Sequence, residues 1–367
     1  MAWLGDWAKR IEITVSNTNI DSNLTHFPLM LKLGSSVGTN NDDVTAIFDE
    51  LTSDANRKKI AVTKSDGTTQ IYVEIEKWDD ANETAFLWVS KSDLTLSSSG
   101  ATTLYIYYDS SQPDNTTYVG DVNSTPGASV WDSNFKAVYH LSETSGGSGA
   151  IKDSTSNDCD GTDTNSPTLG ATGKINGAID FELDNSEYIQ IGTPSALNSI
   201  SGDITLESWI KSETTSYASE AMIVSKDSDT QTRCWYLEVR GYDSNKLFFV
   251  AFTNVGQKNV GGSSVDTNWK YLTGAFDSSE AKIYLYENGS LINTTTSAGN
   301  TLNSGSSTPA QIARRDYAGH LDYFDGIIDE VRISATLRSD ACNLVSYGSE
   351  EEAPVTGQFM SLNTKYW

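Results

Sequence analysis

The sequence predicts an all-β protein built from two β-sandwich domains. Three observations carry that reading. Apolar residues alternate through short segments rich in β-branched and aromatic residues, each set between turn-forming clusters. No long amphipathic helical stretch interrupts them. At 367 residues, the chain is longer than one hydrophobic core usually grows, so two domains are expected.

The first strand set comprises residues 10–15 (RIEITV), 27–33 (FPLMLKL), 70–75 (QIYVEI), 85–89 (AFLWV) and 103–108 (TLYIYY). It defines a domain over residues 1–108. The polar stretch 109–129 holds Pro113 and Pro126 among small residues and reads as a linker. A second set opens at 130–141 (VWDSNFKAVYHL) and runs through 188–191, 204–211, 222–225, 235–239 and 247–252. It closes with 271–276, 282–286, 310–313 and 326–333, which places a two-sheet jelly roll at 130–348. In GIIDEVRI, Ile328 has the opposite parity from Val331 and Ile333. The strand therefore bulges at Asp329-Glu330 or is buried on both faces.

Residues 349–367 form a C-terminal arm in which an acidic run and a proline precede Phe359, Met360, Tyr366 and Trp367. Either this is a flexible tail, or its apolar finish orders against a neighbouring subunit.

The chain carries 49 acidic and 25 basic residues, a net charge of -24, so polyanions are repelled and nucleic acid is not an expected partner. No apolar run is long enough for a membrane helix. Cys159, Cys234 and Cys342 are far apart, without a CxxC pair, which speaks against a disulfide framework and a zinc site. The start MAWLGDWAKRIEITV has no signal-peptide core. That is expected of a protein made in a cytoplasm that reaches the outside by assembly, as virion structural proteins do. A trimmed leader is the alternative.

Four groups of residues are candidates for chemistry. Glu182, Asp184 and Glu187 have the E-x-D-x-x-E spacing of an acid/base pair, but Asn185-Ser186 is a turn signal that would turn Glu187 away. His26, His140 and His320 lie in no nucleophile or metal motif. Asp153 and Asp160, in the loop DSTSNDCDGTD, and Asp329, in the bulge, are oxygen ligands of the kind calcium takes, so calcium is the candidate cofactor, with solvated acidic loops as the alternative. On strand 235–239, Trp235, Leu237 and Val239 share the core parity and leave Tyr236, Glu238 and Arg240 on the other face. Tyr284 and Tyr286 alternate likewise with Ile283 and Leu285, and Arg315 and Tyr317 follow in a loop. Together these seven residues would line one shallow platform for a sugar. No catalytic residue is assigned.

Motifs along the chain carry two resemblances. Trp7 and Arg10 before ITV, LTHFPLMLKL from Leu24, YVEIEKWD over 72–79, FLWV from Phe86 and LYIYY from Leu104 span roughly residues 5–109. This region resembles a family of small β domains of unknown function that precede jelly rolls in bacterial, archaeal and phage surface proteins. Its usual mid-domain segment is matched only loosely by 42–49. The second region carries VWDSNFKAVYHLSE, GKINGAIDFELDNSEYIQI, TLESWIKS and FDGIIDEVRISATLRS over 131–348. It resembles a laminin-G-like jelly roll of the concanavalin A-like superfamily. That superfamily includes lectins, carbohydrate-binding modules, adhesive modules and glucanases, so the resemblance implies fold more than function. It also implies calcium at a loop edge through Asp153.

The expected role is a non-catalytic surface protein of a virion, such as a head decoration, spike or tail appendage, partnered by other virion subunits or by itself, with a cell-surface glycan as the attachment ligand. A secreted or cell-wall glycan-binding adhesin is the alternative, and a glycan hydrolase comes third.

Overall fold

The computed structural model describes residues 3–317, 319 and 322–350 in full, together with the backbone of 360–363. His320, Phe359, Tyr366 and Trp367 lie outside the described residues. The protein is all-β, and its longest described helix is Asp340–Glu350. It divides into one unit of residues 1–132 and 344–367 and a second of 133–343.

In the first unit the strand order is Met360–Asn363, Lys9–Val15, Thr102–Tyr108, Ile60–Lys64, Gln70–Asp79, Thr84–Ser90, Leu29–Leu33. Alternation dictates the core. Ile11, Ile13 and Val15 are buried on one strand, Ile71, Val73 and Ile75 on another, and Leu29, Leu31 and Leu33 on a third. The loosely matched segment 42–49 contains the start of a short helix, Ala46–Leu51, which buries Ile47, Phe48 and Leu51.

Residues 109–129, expected as a linker, belong to this unit. Val119–Asp121 pairs in parallel with Val73, Glu74 and Ile75, and Pro126 opens a helix at Thr125–Ala128, capped by Ser124. Proline here sits where a helix begins and has no N–H to lose. The boundary also shifts by a few residues. Trp131 falls in the first unit, where its indole N–H donates to Glu74 Oε2 at 2.6 Å. The arm differs from both expectations as well. Met360–Asn363 pairs antiparallel with Glu12, Ile13, Thr14 and Val15, so it covers an edge strand of the protein's own first unit. An unpaired edge is a standing invitation to other strands, and a donated strand removes it.

The second unit is a jelly roll of two packed sheets. One runs Thr168–Thr172, Gly177–Phe181, Gly326–Ser334, Ile204–Ser212, Lys270–Asp277, Lys282–Glu287, Ser290–Thr295, with Phe135–Tyr139 beside Gly326–Ser334. The other runs Thr162–Thr164, Tyr188–Gly192, Ala310–Ile312, Glu220–Lys226, Trp235–Arg240, Lys246–Thr253, Gly256–Ser264. Trp235, Leu237, Val239, Leu247 and Phe249 meet Leu206, Ile210, Leu272, Phe276, Ile283 and Leu285 in one core.

The parity conflict in Gly326–Ser334 resolves as a bulge. Glu207 pairs with Arg332, but Trp209 pairs with Asp329, so the register shifts between them. Glu330 takes φ +52°. That one left-handed residue lets Ile328, Val331 and Ile333 all enter the same core. The strain is supported locally: Glu330 accepts from Arg332 at 2.7 Å and pairs with His140 Nδ1 at 2.6 Å. Burial pushes the Glu330 carboxyl up, but the contacts with His140 and Arg332 outweigh it and hold the group below its usual range.

Gly274 sets the spacing of the sheets. A Cβ there would lie 2.6 Å from the Phe249 ring, inside any real contact. Gly274→Ala is therefore expected to lower stability by about 1–3 kcal/mol through overpacking. Urea unfolding with an unchanged m-value is the check.

Candidate functional site

The candidate site is the outer face of the seven-stranded sheet. It follows from alternation on Trp235–Arg240, which sends Tyr236, Glu238 and Arg240 away from the core. Register brings neighbours beside them: Glu238 lies between Met222 and Phe248, and Tyr236 opposite Val250. Met222, Tyr236, Phe248, Val250 and Phe252 form a buried apolar cluster of their own, separate from the jelly-roll core.

Guanidinium groups close this layer. Arg240 lies 3.8 Å over the Phe248 ring, Arg233 4.3 Å over Phe252, and Arg315 4.5 Å over Tyr317 and 5.7 Å over Tyr236. Flat, weakly hydrated cations suit aromatic faces. Each also holds a carboxylate. Arg233 grips Asp227 through two bonds of 2.8 and 2.7 Å. Arg315 donates to Asp322 at 2.7 Å and stands 3.5 Å from Glu220. Arg240 Nε donates to Glu238 Oε1 at 3.0 Å.

The electrostatics follow burial. Glu238 is pushed up to about 7, chiefly by desolvation, although Arg240 opposes the shift. Among the described residues no donor reaches its Oε2. Glu220 is also raised by burial, but the Arg315 charge overcomes this and holds it below the usual range.

The layer is buried, and its exposed aromatic lies at the rim. Tyr242 is 69% exposed. It stands in the tight turn Gly241–Asp243 that directly follows the Arg240 strand, and Arg240 lies 5.8 Å from its ring. A Cβ on Gly241 would come within 2.2 Å of the Tyr217 carbonyl, so glycine is required where the strand hands the tyrosine to solvent. Sequence reasoning missed Tyr242. Its available signal was an aromatic after Gly241 in a turn, outside any strand periodicity.

The seven residues expected on one platform do not assemble. Tyr236, Glu238 and Arg240, with Arg315 and Tyr317, meet on the seven-stranded sheet. Tyr284 and Tyr286 belong to Lys282–Glu287 of the other sheet and share its outer face, with ring centroids 6.4 Å apart. Both strands obey the same alternation, but they lie in opposite sheets, so their outward faces diverge. Tyr286 is also buried and donates to Asp340 at 2.6 Å.

Asp153, Asp160 and Asp329, expected as calcium ligands, each accept hydrogen bonds from the chain itself. Asp153 Oδ1 accepts from the N–H groups of Val138 and Thr155 at 3.0 and 2.9 Å, and Oδ2 from Thr155 Oγ1 and Cys159 N–H at 2.8 and 2.9 Å. Burial lifts this carboxyl to about 6 against those bonds. Asp160 accepts from Asp153 N–H at 3.0 Å and from Lys152 at 2.6 Å. Asp329 Oδ2 accepts from the N–H groups of Lys174 and Ile175 at 2.8 and 2.9 Å. All three organise loops.

The E-x-D-x-x-E segment breaks where the turn signal stands. Leu183–Asn185 is a single helical turn and Ser186 takes φ +59°. Glu187 folds back to accept from Glu182 N–H at 2.8 Å and Asn185 at 3.1 Å. Nearby, oxygens of Asp180, Glu182 and Glu213 lie within 4.8 Å of one another.

The second unit is a laminin-G-like jelly roll. Residues 183–341 match the family model of the concanavalin A-like lectin/glucanases superfamily. Among solved structures, the binding domain of Paraclostridial Mosquitocidal Protein 1 is similar at 14% identity and a TM-score of 0.47, over 59% of this chain and 52% of that one. The binding domain of Botulinum neurotoxin DC, solved with rat synaptotagmin II, is similar at 12% and 0.47, again over 59% and 52%. The Botulinum neurotoxin serotype D ligand binding domain, solved with N-acetylneuraminic acid, gives 13% and 0.44 over 58% and 50%. The chain thus spans about half the length of these domains. No curated protein matches it.

The acidic group near the broken segment generates a prediction. Burial first, then repulsion from Glu213, Glu187 and Asp325, raises Asp180; burial and Asp180 raise Glu182. A carboxylate whose folded pKa is raised costs stability once ionised. Stability is therefore expected to fall as pH rises from the ordinary carboxylate range through these raised values. Asp180→Asn should blunt that slope and stabilise the protein at pH 7 by about 0.5 kcal/mol. Thermal unfolding of both proteins across pH 3–8 measures it.

Proposed function

We propose that this chain is a non-catalytic binding protein of an external surface, and that its jelly roll recognises a glycan at the rim formed by Tyr242, Arg240 and Glu220. The observation that carries the reading is Tyr242, a solvent-exposed aromatic beside a fixed guanidinium and a carboxylate. A pyranose presents C–H groups on one face and hydroxyls around its edge. The first stack on a tyrosine ring, and the second take bonds from arginine and give them to carboxylates. Arg240 is pre-positioned by Glu238 and the Phe248 ring, so less freedom is lost on binding. The lectin and carbohydrate-binding members of the superfamily agree with this use of the fold, and the serotype D domain solved with N-acetylneuraminic acid is a sugar-bound example among similar structures.

The non-catalytic part of the proposal is supported by Glu187, whose two oxygens are turned back onto Glu182 and Asn185. No acid/base pair on one strand face results.

The finer proposal places the chain on a virion surface as a structural subunit. Support comes from the edge strand Ser290–Thr295, on which Leu291 and Ile292 are 45% and 47% exposed. Adjacent apolar residues on a sheet edge are what assembly with another subunit would cover. A secreted or cell-wall adhesin would use the same glycan rim without that assembly.

Tyr242→Ala is expected to weaken the best ligand from a glycan array about tenfold, ~1.4 kcal/mol, while leaving the unfolding midpoint unchanged because the side chain is exposed. Undiminished binding would place the site elsewhere. Co-sedimentation of the intact chain with purified virions is expected on the finer proposal; recovery only from cell walls or free in the supernatant would favour the adhesin.

A further inference from the structure

The first unit has a cleft of its own, unrelated to the jelly-roll rim. Strand Gln70–Asp79 changes register between Ile75 and Lys77, so Glu76 is an extra residue in the pairing with Thr84–Ser90. Beyond that bulge Trp78 packs on Phe48, with ring centroids 5.0 Å apart. Ile75 pairs with Asp121 of the parallel strand. Arg57, at the end of the turn Asp54–Asn56, reaches across to Asp121. Between these elements lies a cleft of about 360 Å³ lined by Asp54, Arg57, Ile75, Trp78, Asp121 and Val122, a volume in the range of small-ligand sites.

Two features define what would fit. The Trp78 side chain is buried, at 8% exposure, and its indole N–H has no acceptor among the described residues. A buried donor left this way is unfavourable, and an acceptor supplied by an occupant of the cleft would satisfy it. The charges set the sign of that occupant. Arg57 is spent on Asp121 through two bonds of 2.8 and 2.9 Å, and Lys58 adds a third contact to the same carboxylate at 2.7 Å. What faces a ligand at the mouth is acidic: the exposed Asp54, whose Oδ1 takes the Asp80 N–H at 2.8 Å and whose Oδ2 accepts no hydrogen bond among the described residues, with the Glu76 carboxylate also in the lining.

An anion would satisfy Trp78 but be repelled by Asp54 and Glu76. A cation would be drawn to the carboxylates but has nothing to accept the indole hydrogen. A hydroxyl does both, since it accepts from Trp78 and donates to a carboxylate. Ile75, Val122 and the Trp78 ring supply the apolar wall that sugar C–H groups contact. We propose that this cleft is a second binding site, selective for a neutral saccharide, in a domain to which no chemistry is attached.

The test uses the full chain with 15N-labelled tryptophan and four neutral probes: maltotriose, cellotriose, xylotriose and triacetylchitotriose. The Trp78 indole signal is assigned by its loss in Trp78→Phe. At least one probe is expected to shift that signal saturably, and Trp78→Phe, which keeps a ring but removes the donor, should weaken binding of that probe about tenfold. Asp54→Asn is a second variant, at an exposed position that does not threaten folding, and should weaken it severalfold. The proposal is overturned if none of the four moves the Trp78 signal, if neither variant changes the affinity, or if a sulfated trisaccharide binds as well as its neutral parent. The Trp78 signal reports this cleft alone, so its silence would leave the jelly-roll rim untouched.

Discussion

Everything at the candidate face depends on one constraint: the outer side of the seven-stranded sheet is apolar and must be kept from water. A sandwich normally buries one side of each sheet and leaves the other polar. Here Met222, Tyr236, Phe248, Val250 and Phe252 form a second buried layer, and its lid is ionic. Arg233, Arg240 and Arg315 lie over aromatic rings, and each is anchored by a carboxylate. The arginines therefore serve packing and charge pairing together, and neither role survives without the other. Removing one would expose rings and strand its acidic partner in a buried place, where an unpaired charge is costly.

That arrangement decides where recognition can occur. Buried rings offer no stacking face, so the proposed glycan contact lies at the rim. There Gly241 turns the chain sharply enough to hold Tyr242 in solvent beside Arg240. The opposite sheet contributes nothing to this face, since Tyr284 and Tyr286 point the other way and Tyr286 is tied to Asp340.

Much of the fold was legible in the sequence because alternation is local. The parity conflict among Ile328, Val331 and Ile333 announced a bulge, and Glu330 carries it. The turn signal at Asn185-Ser186 announced that Glu187 would leave its strand, and it does. What stayed hidden is non-local. Nothing in KIYLYE says which sheet it joins, so Tyr284 and Tyr286 were grouped with Tyr236 on parity alone. Residues 119–121 look like linker until Val73, Glu74 and Ile75 offer a parallel edge, and 360–363 look like tail until Lys9–Val15 offers another. Asp153 stands in an acidic loop, but the N–H and O–H groups its oxygens accept from are brought near only by the folded chain. Tyr242 belongs to a turn, where periodicity carries no signal.

The most direct measurement is the titration of the Glu238 side-chain carboxyl, followed by 13C NMR in selectively labelled protein. If the guanidinium lid seals the outer face, Glu238 titrates near 7. An ordinary carboxylate value, about 4.3, would mean that water reaches the face. The rings beneath would then be open, and confinement of recognition to the Tyr242 rim would be contradicted.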